Sequence, residues 1–406
     1  MFANTFSALF ADYWSRRMQV IHSRVDVFRA IANFEQQAVL KNGDVVHKPY
    51  HTVPSVASYT RGTAVTVNDQ TVTDESLTVD QAFVAPFYVD DLDALQSNYP
   101  VLNKLADEAA IRLSNKIDGD ILGEYDQATD TVDDGDLGGT AGNGLTLSVT
   151  NVQKVFAIAQ RKLMKQLNSN FKRGDCFAVI SPNFYQTLLE YLAGKETTLG
   201  DSSGVSGHVG QYYGFDLYVS NSVGWSASMP VATIPVAGDT VVINGVTLTA
   251  AADASATAAG EYSIETTNDL AMANLVLLIN GTGTAGADEY IDVTAANRAL
   301  LFGITATYTA GTDLLELKAE GWAGVVVSET MTPAANIWTT TKQIEHQLFG
   351  KKGAIDVVIQ ARPTIEVKEV PDKLGKNIIP YTLYGKKTFI KGKDMLIDVQ
   401  TRSDAY

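Results

Sequence analysis

Between Trp225 and Thr340 the chain changes character, and any fold it adopts must accommodate that change. The stretch is dominated by Ala, Thr, Gly and Val and holds 2 Lys+Arg against 12 Asp+Glu. Just before it, VGQYYGFDLYVSNSV is an ordinary strand pattern: Phe215, Leu217 and Val219 alternate with Asp216, Tyr218 and Ser220, and Gly214 sits at the entry. After it a more basic segment follows, with 12 Lys+Arg against 8 Asp+Glu in residues 341–406. A chain that leaves a strand, builds something different and returns predicts an inserted domain whose two ends lie close together. VVINGVTLTA predicts a hairpin turning at Asn244-Gly245. TNDLAMANLVLLIN predicts a helix over 267–280, and ITATYTAGTDLLELKA a second hairpin around Ala310-Gly311-Thr312. The order β-β-α-β-β predicts a small α+β domain, bounded here at 226–338.

The remainder has enough apolar surface for a substantial core. Of 406 residues, 45% are hydrophobic and 19% charged, which suits two or three globular domains. The single cysteine, Cys176, excludes an intrachain disulfide and reads as a small buried side chain in the strand CFAVI. The first apolar cluster, MFANTFSALFADYWSRR, has an acid inside it and no basic segment before it, so no signal peptide is expected. No run of eighteen apolar residues predicts a membrane span. The net charge of −15 argues against a general nucleic-acid binder.

Residues 4–37 predict a helical arm. Phe6, Leu9, Phe10, Tyr13 and Trp14 keep helical spacing, and so many large apolar side chains need a surface to lie on. From 43 to 90, Pro49 and Pro54 interrupt a first strand, and Ser58–Val67 and Ser76–Val84 alternate as the two arms of a long hairpin. A lone two-stranded ribbon is marginal in water, so this excursion is expected to rest on another surface. Residues 98–127 predict a long helix, about 40 Å at 1.5 Å per residue. Its apolar stripe is Leu102, Leu105, Ala109, Leu113, Ile117 and Ile121. A helix over 148–169 capped by Ser148 or Thr150, the strand Cys176–Ile180 and a helix over Phe184–Ala193 follow. The last segment predicts two strand runs broken by Pro363, then closing strands bent at Gly385 and Gly392.

No residue pattern points to catalysis or a cofactor. GTGTAG at 281–286 matches a phosphate-binding Gly spacing, but it follows a helix where that motif must follow a strand. His47 and His51 are separated by Pro49 and do not share a helix face, and His22, His208 and His346 have no ligand-spaced partners. Asp130, Asp133, Asp134 and Asp136 lack the order of a calcium loop and read as a solvated acidic turn.

The order of elements carries a resemblance. Gly214-Phe215-Asp216-Leu217-Tyr218-Val219-Ser220-Asn221, Ala354–Gln360 followed by Pro363, and Tyr384-Gly385-Lys386-Lys387 stand in sequence after an arm, a β excursion and one long helix. Together they resemble the major capsid proteins of tailed bacteriophages, whose fold is shared with encapsulin nanocompartments. The resemblance implies an α+β chain with an N-terminal arm at 1–44 and an extended β loop at 45–90. It places a peripheral domain with a long spine helix at 91–144 and 359–406, and an axial domain at 145–225 and 339–358. The inserted domain at 226–338 lies outside the minimal fold.

It also implies a non-enzymatic homo-oligomer of hexamers and pentamers, closed into an icosahedral shell around phage DNA and assembled in the host cytoplasm. Expected partners are a separate scaffolding protein, a portal, a decoration protein and, weakly, the packaged DNA; no metal or cofactor is implied. Assembly contacts are expected at Val56, Tyr59 and Arg61 in the loop and at Phe6, Phe10 and Trp14 in the arm. The Lys–Asn pair that crosslinks subunits in some relatives has no recognisable counterpart. An encapsulin shell and a cell-surface structural protein are the alternative readings.

Overall fold

The computed structural model describes residues 26–38, 43–51, 54, 56–65, 67, 69–90, 101–167, 172, 174–195, 210–320, 325–370 and 374–402. The elements in order are α1 (Phe28–Ile31), β1 (Val45–His47), β2 (Tyr50–His51), β3 (Val72–Thr73), β4 (Ser76–Thr78), β5 (Gln81–Val84), β6 (Phe87–Asp90), α2 (Val101–Leu122) and β7 (Asp130–Val132). There follow α3 (Val152–Leu167), β8 (Cys176–Ile180), α4 (Pro182–Ala193), β9 (Gln211–Tyr212), β10 (Phe215–Val219), β11 (Gly224–Pro230), β12 (Thr240–Ile243), β13 (Val246–Ala251) and β14 (Glu261–Ser263). The chain closes with α5 (Asn268–Asn280), α6 (Ala295–Leu300), β15 (Ile304–Thr309), β16 (Leu314–Ala319), β17 (Val327–Thr330), β18 (Ile344–Lys351), β19 (Asp356–Glu369), β20 (Gly375–Lys387), α7 (Ile390–Lys393) and β21 (Leu396–Arg402). Two compact units emerge. Described residues 79–90, 101–114, 359–370 and 374–385 form the smaller, and the rest form the larger.

The larger unit is organised on β18. Along one edge β18 pairs with β21 through seven residue pairs, from Ile344↔Arg402 to Gly350↔Leu396. Its other edge is divided: residues 344–346 pair with β11, and 348–351 pair with β8. This one strand joins a nine-stranded sheet, in the order β15-β16-β11-β18-β8-β10-β9, with β21 and then β7 on its far side. Such a strand must be apolar or fully satisfied, and Ile344 through Gly350 are all buried. Helices α3 and α4 contribute to the core that includes Phe349. Phe156 lies 5.0 Å from Tyr212, 5.3 Å from Phe349 and 5.7 Å from Phe184, in tilted or edge-on contacts. Ser181 accepts the Phe184 N–H to cap α4, with Pro182 at its first position.

Residues 226–338 assemble a second hydrophobic core together with Trp225, including Leu248, Tyr262, Leu275, Leu317 and Trp338. Asn244 and Gly245 take positive φ of 50° and 79°, the geometry of a two-residue hairpin turn, and join β12 to β13. Thr267 caps α5, and Gly281 ends it at φ 64°, so residues 281–286 form a post-helix loop. The β15–β16 hairpin does not stand apart from the main sheet. It extends that sheet through the β16–β11 ladder, while β14-β13-β12-β17 form a separate four-stranded sheet.

Several expectations change. Pro363 does not break a strand: β19 runs unbroken from Asp356 to Glu369, because it is an edge strand where the missing N–H is harmless. Ser58–Val67 and Ser76–Val84 do not pair as one long hairpin. Instead β1 pairs with β4 and β2 with β3, and β5 pairs with β20. Neither Ser148 nor Thr150 caps α3 through its hydroxyl; the Asn151 amide accepts the Ser148 N–H and donates to the Thr146 carbonyl. The acidic turn is not merely solvated. Asp130 and Asp136 both pair with Lys162, and the Asp133 and Asp134 carboxylates accept the Gly142 and Thr140 N–H groups. The stripe of α2 behaves as expected, with Ala109, Leu113, Ile117 and Ile121 buried. In the smaller unit, β20 has β19 on one side and shares its other edge between β6 and β5.

One buried carboxyl sits within β18. Glu345 lies beside Gln347, whose amide also binds the Ser181 backbone N–H and hydroxyl and the Thr401 hydroxyl. Burial pushes the Glu345 carboxyl up from 4.5 to about 7, against the hydrogen bonds from Ser181 and Gln347. The unfolded chain therefore releases this proton first, and stability falls as pH rises from about 4.5 to about 7. Glu345→Gln should remove the penalty. Urea unfolding should show the variant more stable than wild type by about 3 kcal/mol at pH 8 and by less than about 1 kcal/mol at pH 5. An equal difference at both values would refute the assignment.

Candidate assembly surface

The extended segment from 43 to 78 has a built base and a bare tip. At the base the β1–β4 ladder places Val46 opposite Leu77, and both are buried. Lys48 Nζ lies 3.0 Å from Asp356 Oδ2 and 4.8 Å from the centre of the Phe389 ring. Glu75 Oε2 accepts the Ile390 N–H at 3.0 Å. Asp356 is itself buried, and its Oδ1 accepts from Asn33 Nδ2 at 2.6 Å. A second carboxylate holds the chain just upstream: Asp118 of α2 accepts the N–H groups of Val27 and Phe28 at 2.8 and 2.9 Å. Its pKa is raised by burial, against those hydrogen bonds.

Beyond the two-residue ladder of β2 and β3, the described residues make almost no contact with their own unit. Val56 is fully exposed, Tyr59 is 66% exposed, and Val65, Val67 and Val72 are similarly bare. Gly62, at φ 87°, turns the chain, with the Thr63 N–H donating to the Thr60 carbonyl. Val56, Tyr59 and Arg61 are thus all exposed in this stretch, Arg61 at its turn. Phe6, Phe10 and Trp14 lie outside the described residues. Clustered exposed apolar side chains of this kind mark contact surfaces. In the smaller unit the later part of β19 is bare as well, with Ile365 and Val367 exposed in alternation with Glu366 and Lys368, the charges typical of a guarded edge strand.

Among the described residues, no group of three His, Cys, Asp or Glu could hold a metal ion. Among the same residues no helix is long and apolar enough to cross a membrane. His47 is half of an exposed pair with Asp74, and His51 is exposed. His346 does have partners the sequence conceals: Ser226 and Asp398, 120 and 52 residues away. Their only local signal is the placing of polar residues within buried strands.

A model of the family described as phage capsid protein matches residues 56–245, from the loop tip through α2 and the α3–α4 layer into the β12–β13 turn. Just under half of the chain is thus similar to that family. Solved capsid structures agree over nearly its whole length. A chain of Mycobacterium phage Che8 matches with TM-score 0.58 and 16% identity, covering 97% of this chain and 98% of that one. The capsid structure of cyanophage P-SCSP1u matches at 0.55 and 12% identity, covering 98% and 95%. The mature capsid of bacteriophage PhiM1 matches at 0.50 and 10%, covering 97% and 92%. At these identities the likeness is one of fold: the chain has the capsid-subunit fold. No curated protein matches it in sequence.

Because the loop tip contributes nothing to its own core, Val56→Asp combined with Tyr59→Asp should leave the unfolding midpoint of the isolated subunit within about 0.5 kcal/mol of wild type. The same pair should abolish shell formation, as should deletion of 56–66. Normal shells from either variant, seen by electron microscopy, would remove the loop from the assembly surface.

Proposed function

We propose that this chain is the major capsid protein of a phage, assembling with copies of itself as hexamers and pentamers into an icosahedral shell around genomic DNA. The observation that carries this reading is the capsid fold over nearly the whole chain, coupled to an apolar loop that its own unit leaves uncovered. Such a loop gains stability only on a neighbouring copy. Many moderate contacts repeated round a closed lattice then hold the shell through multivalency.

On this reading Val56, Tyr59 and Arg61 meet the adjacent subunit, and the arm with Phe6, Phe10 and Trp14 does the same. Residues 226–338 form an insertion into the axial domain, and their acidity places them on the outer face, away from packaged DNA. A separate scaffolding protein and a portal act during assembly in the host cytoplasm. The role is structural and requires no chemistry.

The test is negative-stain microscopy with light scattering on the purified protein, alone and co-expressed with the product of the neighbouring gene. Closed uniform particles tens of nanometres across are expected. A monomer or dimer under both conditions would overturn the proposal. Particles filled with a cargo protein would move the assignment to an encapsulin-like shell.

A further inference from the structure

Ser226, His346 and Asp398 lie on one face of the main sheet, in the larger unit. His346 Nδ1 is 2.8 Å from Asp398 Oδ2, and His346 Nε2 is 2.8 Å from Ser226 Oγ. Asp398 Oδ2 also accepts from Gln400 Nε2 at 2.9 Å. Both His346 and Asp398 are buried. A carboxylate on one ring nitrogen fixes the neutral tautomer with its proton at Nδ1, which leaves Nε2 to accept from the serine hydroxyl.

The ladders explain the convergence. Ser226 stands opposite Ile344, so His346 is its diagonal neighbour across β11–β18. Asp398 is likewise diagonal to His346, which faces Gln400 across β18–β21. Tyr125 stacks on the imidazole with ring centres 3.8 Å apart and planes 9° apart, holding it in orientation. Gly224 makes that stacking possible: a Cβ there would come within 2.2 Å of the Tyr125 ring.

The group opens into a cavity of about 370 Å³, lined among others by Ser226, Ser228, Glu316, Lys318, Lys342 and His346. Lys318 stands directly across the β11–β16 ladder from Ser226. We infer that Ser226 is an activated nucleophile and that this cavity hydrolyses small carboxylic esters. This activity is separate from the shell role and does not depend on it.

Ser226 Oγ attacks the ester carbonyl carbon while its proton passes to His346 Nε2. The oxyanion develops beside the ammonium groups of Lys318, which also pairs with Asp126, and Lys342, which also donates to the Gly142 carbonyl. His346 returns the proton to the departing alkoxide, leaving an acyl-serine. Water, deprotonated by the same nitrogen, then releases the acid. The sum is ester plus water giving acid plus alcohol. The cavity volume favours a short acyl chain, being near the small end of the ligand-site range. A peptide strand finds no edge beside Ser226, because β11 is already paired with β16 and β18.

The test uses the full-length protein, p-nitrophenyl acetate and an alkyl fluorophosphonate, whose phosphorus takes the serine oxygen as fluoride leaves. Intact-mass and peptide spectrometry should find one phosphonyl group on Ser226 of the folded protein and none after heat unfolding. That adduct should abolish ester hydrolysis. Ser226→Ala should lose both, and His346→Gln should slow both by about a hundredfold or more. Asp398→Asn should slow them similarly, whereas Asp398→Glu should recover part of the rate. Ser255→Ala, an exposed serine elsewhere, should behave as wild type. Failure of folded wild-type protein to take the label, label on another residue, or hydrolysis unchanged in Ser226→Ala would each overturn the inference. The first two outcomes require no variant to fold.

Discussion

Everything in the larger unit depends on one strand having three neighbours. β18 is flanked along its length by β21 and along its other edge by β11 at one end and β8 at the other. The α3–α4 layer is tied to β8, the β15–β16 hairpin to β11, and the last strand of the chain is β21. Remove β18 and three separately built pieces lose their common ladder. Its burial then follows from geometry, since a strand paired on both edges and covered on its faces has no route to water. Two of its polar residues find partners inside: Gln347 reaches the cap of α4, and His346 reaches β11 and β21.

Local signals in the chain were reliable wherever local chemistry decides the outcome. Asn244-Gly245 could form little else than the turn it forms, and Ser181-Pro182 starts a helix through a cap that lies entirely within four residues. The α2 stripe was equally plain. What the sequence could not display was pairing at a distance. Nothing near Ser58–Val67 says that its alternation has no partner strand, because the register is settled by Leu77 and Val46 at the base. Pro363 looked like a break because edge and centre positions are indistinguishable from one strand alone. Val56, Tyr59 and Arg61 are exposed, as apolar residues flanked by prolines and turn residues have no local core to join. The meeting of Ser226, His346 and Asp398 was not, because three strands far apart in the chain create it.

The stretch from 226 to 338 stands partly on its own and partly in the main sheet. It has its own core around Tyr262 and Leu275, as a self-supporting piece should. Its hairpin nevertheless lengthens the main sheet, and Lys318 and Glu320 form ion pairs with Asp126 and Lys116. Lys116 is partly buried, and desolvation lowers its pKa despite the nearby Asp120 carboxylate. The stretch is fastened to the rest of the larger unit by backbone ladder and ion pairs alike.

Asp356 serves two segments of the chain at once. One of its oxygens holds Asn33, where the N-terminal segment ends, and the other holds Lys48, where the extended loop begins. Two stretches of chain fifteen residues apart are therefore tied to one buried side chain. Displacing either would disturb a carboxylate on which the other also depends.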